Sequence, residues 1–418
     1  MIWPEVKISD VCETGSGGTP ARAKYDRYYH GTIPWVKSGE LEDRLVEGTE
    51  EKITEEGLRE SSAKLVQRDS VLIALYGATV GKTALLRIDA ATNQAVCYLI
   101  PNRKVLKSEY LWFVLRSKQK ELLAQRVGGA QPNISQAIIR KTKLPLPPLS
   151  EQRRIVEILD KADSLRKKRT EADKIAERIV PALFYKMFGD PLELIHSSAA
   201  TFLDDPLVEI QNGFACGDKD VIGGSPHLRM NNIGDDGILN LNLVRTVPNE
   251  FDTATYRLKE GDVLFMGTNS QEKVGKACVF YQPDERTYLF SNHLVRIRIL
   301  DKTLTPEFLA SYLHLLWAKK YFQSKSKRWV NQASISIQTL KRTKIPEVDK
   351  NAVLNYSASF KTYLALVKKQ QAALANLEGL FNVVMTRAFS GDLTAKWREA
   401  HMKELLQEME EQAKELGG

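Results

Sequence analysis

The sequence predicts an α+β fold in which two pseudo-twofold-related globular α/β domains are separated by an antiparallel two-helix coiled coil. Two observations predict this arrangement. A long helical segment with one apolar edge occurs twice, and each copy follows a globular segment whose short motifs also occur twice. At 418 residues the chain is too long for one ordinary domain. Because a repeat on this scale decides the architecture, it takes precedence over local secondary-structure signals.

The first helical segment follows a proline-rich stretch and ends at Gly189-Asp190-Pro191. Pro147 and Pro148 cannot continue a helix, and Ser150 stands where an N-cap is expected. One uninterrupted helix is predicted from there to Gly189. Its apolar positions recur at alternating steps of four and three residues, which is typical of a coiled-coil seam. The seam positions are Ile158, Ala162, Leu165, Arg169, Ala172, Ala176, Ile179 and Leu183.

The second helical segment repeats this seam after a shift of 201 residues, and polar Arg169 there matches polar Gln370. A single exposed helix of this length is marginal in water, whereas two helices with matching edges can bury each other. Helices of about 35 to 40 residues span roughly 50–60 Å, so the pair would act as a ruler. The alternative is two unrelated amphipathic helices, each packed on its neighbouring domain. The second seam is Ser359, Tyr363, Leu366, Gln370, Ala373, Leu377, Leu380 and Val384.

The globular segments repeat more loosely. Val71-Leu72 corresponds to Val263-Leu264, and Val80-Gly81-Lys82 corresponds to Val274-Gly275-Lys276. Strands are predicted around Ile33–Lys37, Ser70–Tyr76 and Ala95–Ile100, and a helix over Glu109–Gln125. The predicted organisation is a first domain at 1–145, a first spacer helix at 146–190, a second domain at 195–347, a second spacer helix at 350–391 and a helical tail at 392–418.

Composition indicates a soluble, cytoplasmic protein with a polyanionic partner. The chain has 43% hydrophobic and 27% charged residues and a net charge of +8. No stretch is long and apolar enough for a membrane span, and the first residues lack the pattern of a signal peptide. Four scattered cysteines without C-x-x-C spacing fit a reducing compartment and argue against zinc or structural disulfides.

The segment Gly77–Thr83 resembles a phosphate-binding loop, but it has three residues between the glycines where four are required. The second copy, Val274–Ala277, also lacks the hydroxyl that would bind magnesium. We therefore expect tight turns that present Lys82 and Lys276 outward.

Other catalytic motifs are also missing. Leu146-Pro147-Pro148-Leu149 lacks the Asn or Asp of an amino-methyltransferase motif, and Pro283-Asp284 is followed by no nuclease-type carboxylate and lysine. The six histidines do not have metal-ligand spacing. The sequence thus favours a binding protein with no catalytic or metal site.

The late part of each globular segment is basic. From Phe308 to Pro346 there is no Asp or Glu, yet Lys and Arg recur with interleaved aromatic residues. The first-domain equivalent has seven cations and the single acid Glu121. Because Lys and Arg contact phosphates, while Arg, Asn, Gln and Ser can read base edges, the repeated bias favours DNA binding over a merely solvated face.

These features together resemble the specificity subunit of type I restriction–modification systems. The first domain contains IPWVKSGEL (Ile33–Leu41), LIALYGATVGKTA (Leu72–Ala84), TNQAV (Thr92–Val96) and the entry LPLPPLSEQRRIVEILDKAD to the first helix. The second domain keeps only the outline, with GDVLFMG (Gly261–Gly267) and SNHLVR (Ser291–Arg296). The resemblance covers nearly the whole chain and includes its SGDLTAKWR tail.

The resemblance implies a non-catalytic subunit of a DNA-modifying complex. Each domain would be a target-recognition domain that reads one half of a bipartite, asymmetric site in double-stranded DNA. The helices would set the spacer and dock two modification subunits that methylate adenine N6, and the resemblance allows for two restriction subunits as well. No cofactor would bind this chain, since S-adenosylmethionine, ATP and Mg would belong to the partner subunits.

Candidate DNA contacts are polar and basic residues in the repeated loops, with Lys37 and Lys82 preferred because both copies stay basic there. Each could instead be an ordinary polar loop residue. Two other functions stay open: a protein–protein scaffold without sequence-specific DNA reading, and a self-sufficient DNA-modifying enzyme. The candidates are Arg22, Lys24, Lys37, Ser38, Tyr76, Lys82, Gln131 and Asn133 in the first domain, and Arg229, Asn231, Asn232, Asn269, Lys276, Arg328, Asn331 and Gln332 in the second.

Overall fold

A computed structural model describes residues 3–125, 133–204, 207–217, 220–249, 253–330 and 332–417. The chain divides into two compact units. The first unit combines Met1–Lys168 with Leu374–Gly418, and the second is Arg169–Ala373. Each unit therefore contains one globular domain and a part of each long helix.

The first unit is built on two sheets. Among its described residues, one sheet has the strand order β2-β10-β7-β8-β4, a second has β5-β3-β9-β6, and β1 pairs with β11. The strands are β1 (Glu5–Lys7), β2 (Cys12–Ser16), β3 (Tyr29–Val36), β4 (Arg44–Val46), β5 (Glu51–Ile53), β6 (Leu65–Val66), β7 (Val71–Ala74), β8 (Thr83–Leu86), β9 (Ala90–Thr92), β10 (Val96–Pro101) and β11 (Lys143–Pro145). The helices are α1 (Ile8–Val11), α2 (Tyr25–Tyr28), α3 (Glu55–Arg59), α4 (Ser108–Ser117), α5 (Gln119–Ala124), α6 (Gln136–Lys141) and α7 (Leu149–Ala176).

The second unit repeats this plan. Its larger sheet has the strand order β13-β20-β16-β18, a smaller one has β15-β14-β19, and β12 pairs with β23. The helices are α8 (Ile179–Phe188), α9 (Pro191–Leu194), α10 (Thr253–Tyr256), α11 (Pro306–Ala318), α12 (Tyr321–Lys325) and α13 (Ile337–Lys341), followed by α14 (Lys350–Ser390). The strands are β12 (Thr201–Phe202), β13 (Val208–Asn212), β14 (Ser225–Leu228), β15 (Arg245–Val247), β16 (Val263–Met266), β17 (Thr268–Asn269), β18 (Ala277–Val279), β19 (Leu289–Phe290), β20 (Leu294–Ile299), β21 (Lys327–Arg328), β22 (Ala333–Ser334) and β23 (Lys344–Ile345).

The matching strand orders confirm the predicted repeat of two α/β domains. In each domain two neighbouring strands, β7–β8 or β16–β18, are antiparallel, and the connection between them holds the repeated Val-Gly-Lys motif. Gly81 and Gly275 both have positive φ angles in these turns, of 79° and 101°. The positive φ favours glycine at both positions, and at Gly275 a side chain would also collide with Phe322.

The two long helices lie side by side and antiparallel within each unit. In the first unit, Glu151 at the start of α7 bonds to Arg398 just beyond α14, whereas the Arg166 guanidinium lies 2.9 Å from the Glu378 carboxylate. In the second unit, the ring of Phe184 packs 5.7 Å from that of Tyr356. Burial, with the nearby carboxylates of Asp236, Glu177 and Asp173, raises the pKa of Tyr363 to about 12. As residue numbers increase along the first long helix, the contacted residues of the second decrease in number. The two helices therefore run antiparallel within each unit, as the sequence repeat predicts.

The predicted seam contains one row that faces inward and one row that does not. The row Ala162, Arg169, Ala176, Leu183 and its repeat Tyr363, Gln370, Leu377, Val384 is partly or fully buried. The second predicted row is exposed, which corrects the prediction for Leu165, Ala172, Ile179, Leu366, Ala373 and Leu380; Ser359 is exposed too, and Ile158 is partly buried. The inward row in its place is Leu159, Arg166, Asp173 and Val180, repeated as Phe360, Val367, Leu374 and Phe381.

Ion pairs explain this shift of one helix row. Because Arg166 and Asp173 are charged, a search for apolar seam positions selects their neighbours Leu165 and Ala172 instead. In the folded chain, Arg166 pairs with Asp163 and Glu378, and Asp173 pairs with Arg169 at 2.7 Å. Both charged side chains are therefore partly buried at the seam, although an apolar-periodicity analysis assigns these positions to the solvent-exposed surface.

The first long helix differs from its prediction at its start and in its middle. It begins at Leu149, so Ser150 lies in the first turn instead of at the N-cap, and its backbone N–H donates to Glu408 at 2.9 Å. It also stops at Ala176 and resumes at Ile179. Pro181 explains the break, because a proline ring clashes with the carbonyl four residues earlier, here that of Glu177. The second long helix is continuous from Lys350 to Ser390.

The C-terminal tail returns to the first unit as α15 (Ala395–Ala400) and α16 (Met402–Gly417). Leu405 and Gln412 are its buried contacts, and the Gln412 amide donates to the carbonyl of Val105 at 3.0 Å. The tail thereby covers the entry of α7 into the first domain. No helix of the described residues is long and apolar enough to cross a membrane.

Candidate nucleic-acid interface

Backbone hydrogen bonds join the loops of the first domain at one edge of its larger sheet. The loop after β3 bonds to the loop before β10, since the Asn93 N–H donates to the Val36 carbonyl at 3.0 Å. The segment after β7 bonds to the chain before α6 through the Ile134 N–H and the Leu75 carbonyl at 2.8 Å. The Thr79 hydroxyl donates to the Ser38 carbonyl at 2.6 Å. This loop edge brings together five candidates: Lys37, Ser38, Tyr76, Lys82 and Asn133.

The two preferred lysines of this loop edge are both ion-paired. The Lys37 ammonium lies 2.8 Å from Glu50 and 3.1 Å from Glu51, and hydrogen bonding to Glu50 raises its pKa. Lys82 lies 2.8 Å from Asp43, and its side chain is 44% exposed. A DNA phosphate would therefore have to compete with a carboxylate at each lysine.

Arg22 is connected to Lys37 through Glu51. The Arg22 guanidinium lies 3.0 Å from the Glu51 carboxylate and 4.4 Å from the centre of the Tyr29 ring. The hydrogen bond from Arg22 lowers the pKa of Glu51. Lys24 is exposed and donates to the Tyr28 hydroxyl at 2.8 Å.

The other polar candidates of the first domain have less defined contacts. Ser38 and Tyr76 are half-buried and Asn133 is exposed. Gln131 lies outside the described residues. Two neighbours that the sequence reasoning left out of its candidates also lie at this loop edge, half-buried Asn93 and exposed Gln94. Both belong to the TNQAV motif, which was the available signal.

The second domain forms the same loop edge with different residues. The Ser291 N–H donates to the Leu228 carbonyl at 2.9 Å, as Asn93 does to Val36. The Ile335 N–H donates to the Gly267 carbonyl at 2.9 Å, as Ile134 does to Leu75. The loop edge is therefore a repeated feature of the backbone.

Two candidates of the second domain are buried, which contradicts their prediction as DNA contacts. Asn232 is 1% exposed, and its amide donates to the carbonyls of Asn240 at 2.7 Å and Leu243 at 3.0 Å. Lys276 was expected to point outward, but its side chain is only 4% exposed. It pairs with Asp235 and lies 4.9 Å from the centre of the Trp317 ring, and burial lowers its pKa. Both residues hold the loop edge together from inside.

Three other candidates remain accessible near these loops. Arg229 is half-buried and donates to the Gly217 carbonyl at 3.2 Å. Asn231 is exposed, with a long contact of 3.4 Å from its amide to the Leu243 carbonyl. The Asn269 side-chain oxygen accepts from the Ser270 N–H at 2.7 Å, and this side chain is half-buried. The neighbouring Asn292, in the SNHLVR motif, is exposed as well.

The last candidates lie on a small sheet of order β17-β22-β21. Arg328 on β21 and Gln332 before β22 are exposed, whereas Asn331 lies outside the described residues. Trp329 and Val330 beside them are also exposed. The sequence showed aromatic residues among the cations here, but it did not separate exposed Trp329 from buried Phe322. That distinction depends on the packing of α12 against the larger sheet.

The described residues contain no group of three or more His, Cys, Asp or Glu side chains placed to hold a metal ion. The two loop edges instead combine cations with amide and hydroxyl side chains. Such a set can contact phosphates and donate to or accept from base edges.

Comparison with known proteins agrees with this chemistry. The domain family described as "Type I restriction modification DNA specificity domain" matches residues 2–177. The EcoR124I/EcoR124II specificity subunit of Escherichia coli is 34% identical over 175 residues, which are 40% of this chain and 43% of that protein. The MjaIX specificity subunit of Methanocaldococcus jannaschii is 29% identical over 51% of this chain and 49% of that protein. The matched regions thus span about half the length of these two relatives or less.

Longer matches include the second domain. The EcoKI specificity subunit of E. coli strain K12 is 24% identical over 420 residues, covering 95% of this chain and 90% of that protein. These relatives are all named specificity subunits, which agrees with the predicted recognition role.

Solved structures share the fold. One, from work on assembly and conformational transition of the type I R-M system, has a TM-score of 0.57 at 19% identity and covers 94% of this chain and 98% of that one. The S subunit from M. genitalium has a TM-score of 0.52 at 13% identity and covers 93% and 96%. These matches identify a type I restriction modification DNA specificity domain at residues 2–177 and show that the chain shares its fold with solved proteins of type I restriction–modification systems.

Proposed function

We propose that this chain is the sequence-specific DNA-binding subunit of a type I restriction–modification complex. Each domain reads one half of a bipartite, asymmetric site in double-stranded DNA through its loop edge. The observation that carries this proposal is that the same backbone edge occurs in both domains with different side chains on it. Two copies of one scaffold with different polar residues are suited to two different half-sites.

The first domain reads its half-site through its loop edge and the adjoining residues, with Arg22, Lys24, Lys37, Ser38, Tyr76, Lys82 and Asn133. The second domain uses its loop edge and the small sheet beside it, with Arg229, Asn231, Asn269, Arg328 and Gln332. Lys and Arg would contact phosphates, and the amide and hydroxyl side chains would contact base edges. Gln131 and Asn331 belong to the same proposal on sequence grounds.

The long helices set the spacer and dock two modification subunits. Support comes from the outward helix rows, which present large apolar side chains in each unit: Leu165 and Leu380 in the first, Ile179 and Leu366 in the second. Exposed apolar residues at helical spacing fit a helical partner. The adenine-N6 methyltransferase chemistry, with S-adenosylmethionine, ATP and Mg, belongs to the partner subunits, including up to two restriction subunits.

The proposal is tested by expressing the chain with its modification subunit and mapping N6-methyladenine in host DNA. We expect one bipartite motif with a fixed spacer. The isolated chain should not methylate DNA in the presence of S-adenosylmethionine. Methylation by the isolated chain would contradict a pure recognition role, and equal affinity for random and motif-containing duplexes would favour the scaffold function.

The spacer is tested by inserting one heptad into both long helices, after Lys168 and after Ala373, where the two units meet in sequence. The insertion lengthens each helix by roughly 10 Å, or about three base pairs. We expect both half-sites to be unchanged and the spacer to grow. As a control, a heptad inserted into only one helix should disrupt the pairing and abolish site-specific methylation. An unchanged spacer with the double insertion would contradict the ruler.

A further inference from the structure

The second domain has a small projecting feature that we call the basic ribbon. It consists of β21 and β22 with the described residues Trp329, Val330 and Gln332 between them. Lys327 pairs with Ser334, and Arg328 pairs with Ala333, in antiparallel register.

The root of the basic ribbon is fixed to the domain. β22 also pairs with β17, so it is hydrogen-bonded on both sides. Ala333 is fully buried, and Ile335, which follows β22, is 5% exposed. The ribbon is thus attached to the loop edge through one strand, while β21 is the outer strand.

The outer end of the basic ribbon is apolar. The Trp329 side chain is 63% exposed and that of Val330 is 97% exposed. The Trp329 N–H donates to the Gln332 carbonyl at 2.8 Å, which orders the backbone beside them. Trp329 and Val330 are adjacent, and contiguous exposed apolar side chains mark interaction sites more often than single ones do.

Cations flank these apolar residues. Lys327 and Arg328 are exposed, and no carboxylate among the described residues lies within ion-pair distance of either. The sequence from Phe308 to Pro346 contains no acid at all. Two apolar side chains on a strongly cationic strand fit a polyanion better than an apolar protein surface.

We propose that the basic ribbon enters the major groove of the second half-site and that Trp329 and Val330 contact the C5-methyl group of thymine. This rests on the proposed function. The major groove is about 12 Å wide and admits a two-stranded ribbon. Thymine is the one base that presents a methyl group there, and apolar side chains select it. Lys327 and Arg328 then contact the flanking phosphates, and Gln332 remains available for a base edge.

The test replaces thymine by uracil, which removes only the C5-methyl group, at each position of the mapped site in turn. The full chain, assembled with its modification subunits, is titrated with each duplex. For the unmodified chain we expect about a three- to fivefold loss of affinity at one or two positions of the half-site read by the second domain, as for loss of one buried methyl group. Uracil in the half-site read by the first domain should not cause a loss of affinity that depends on Trp329 or Val330.

Trp329→Ala and Val330→Ala connect that loss to the ribbon. We expect each variant to bind the thymine duplex about tenfold more weakly, and at least one variant to be insensitive to uracil at the affected position. Leu300→Ala is the matched control, because Leu300 is similarly exposed but lies beyond the opposite end of β20. It should retain both the affinity and the uracil effect.

Three results would overturn the ribbon assignment while leaving the proposed function intact. The first is unchanged affinity in both ribbon variants, and the second is an unchanged uracil effect in both. The third is a second half-site without any A·T pair. Loss of modification-subunit association with normal DNA binding would assign the ribbon to a protein partner instead. If the unmodified chain does not prefer its bipartite site over random DNA, the proposed function fails first.

Discussion

The two units use one backbone plan but different chemistry to attach the long helices. In the first unit, Glu151 is fully buried and accepts hydrogen bonds from Trp3 at 2.9 Å and Thr394 at 2.6 Å, in addition to its ion pair with Arg398 at 2.9 Å. In the second unit the residue 201 positions after Glu151 is Ala352, so the buried carboxylate is not repeated there. An aromatic contact is common to both units, since Phe389 packs on Tyr110 in the first as Phe188 packs on Phe308 in the second. The repeat therefore keeps the aromatic contact, and the buried ion pair is a feature of the first unit.

The lysine–aspartate pairs show the same contrast. Lys82 with Asp43 and Lys276 with Asp235 connect equivalent loops in the two domains. Lys82 is partly exposed, whereas Lys276 is enclosed beneath Trp317. One sequence motif thus provides an accessible cation in one domain and a structural one in the other.

The largest expected effect is on the buried ion pair of the first unit. Arg398→Ala leaves the Glu151 carboxylate buried without its charge partner, which should lower the free energy of unfolding of this unit by about 3–5 kcal/mol. Chemical denaturation combined with hydrogen exchange of α7 measures the change. The control Arg286→Ala breaks an exposed pair and should cost under about 1 kcal/mol. Recovery of stability in the double variant Glu151→Leu/Arg398→Met would show that an apolar contact can replace the buried ion pair at this position.

The second prediction compares substitutions on the inward and outward rows of the first long helix. Leu159→Ala should destabilise the first unit by about 2–5 kcal/mol, because Leu159 is fully buried in the core. Leu165→Ala on the exposed row should change stability by about 0.5 kcal/mol or less. Pull-down of the modification subunit by the folded Leu165 variant then tests the docking role of that row. Equal destabilisation by both substitutions would contradict the observed seam.

The smallest effects are expected for the paired lysines. Lys276→Ala should cost about 2 kcal/mol through the lost packing of its buried stem, and Lys82→Ala about 1 kcal/mol or less. In DNA titrations across a salt series, Lys82→Ala should lower the slope of log K against log salt by about one unit. Lys276→Ala should leave that slope unchanged. A lower slope for Lys276→Ala would place its ammonium at the DNA after all.

Much of the candidate site could be predicted from the sequence repeat, because loop motifs that occur in both halves lie at equivalent edges of the two sheets. Lys37, Arg229 and Asn269 reach these edges as expected. Asn232 and Lys276 also lie at the loop edge, but they are buried there. A polar residue that bonds inside a loop has the same sequence signature as one that faces solvent. The sequence placed Trp329 and Phe322 alike among the cations of the basic segment, and only packing separates the exposed Trp329 from the buried Phe322.

The two-domain plan, the pair of long helices and the lack of a recognisable catalytic motif can be read from the sequence, because spacing and composition are properties of the linear chain. Which helix row is buried depends on three-dimensional packing. Arg166 can lie in the seam because Glu378 on the other helix pairs with it, and Asp173 because Arg169 pairs with it within the same helix. A pair across helices, such as Arg166 with Glu378, leaves no signal in the local sequence pattern. The same reason holds for Lys82 and Lys276, whose exposure depends on what the rest of each domain packs over an identical turn.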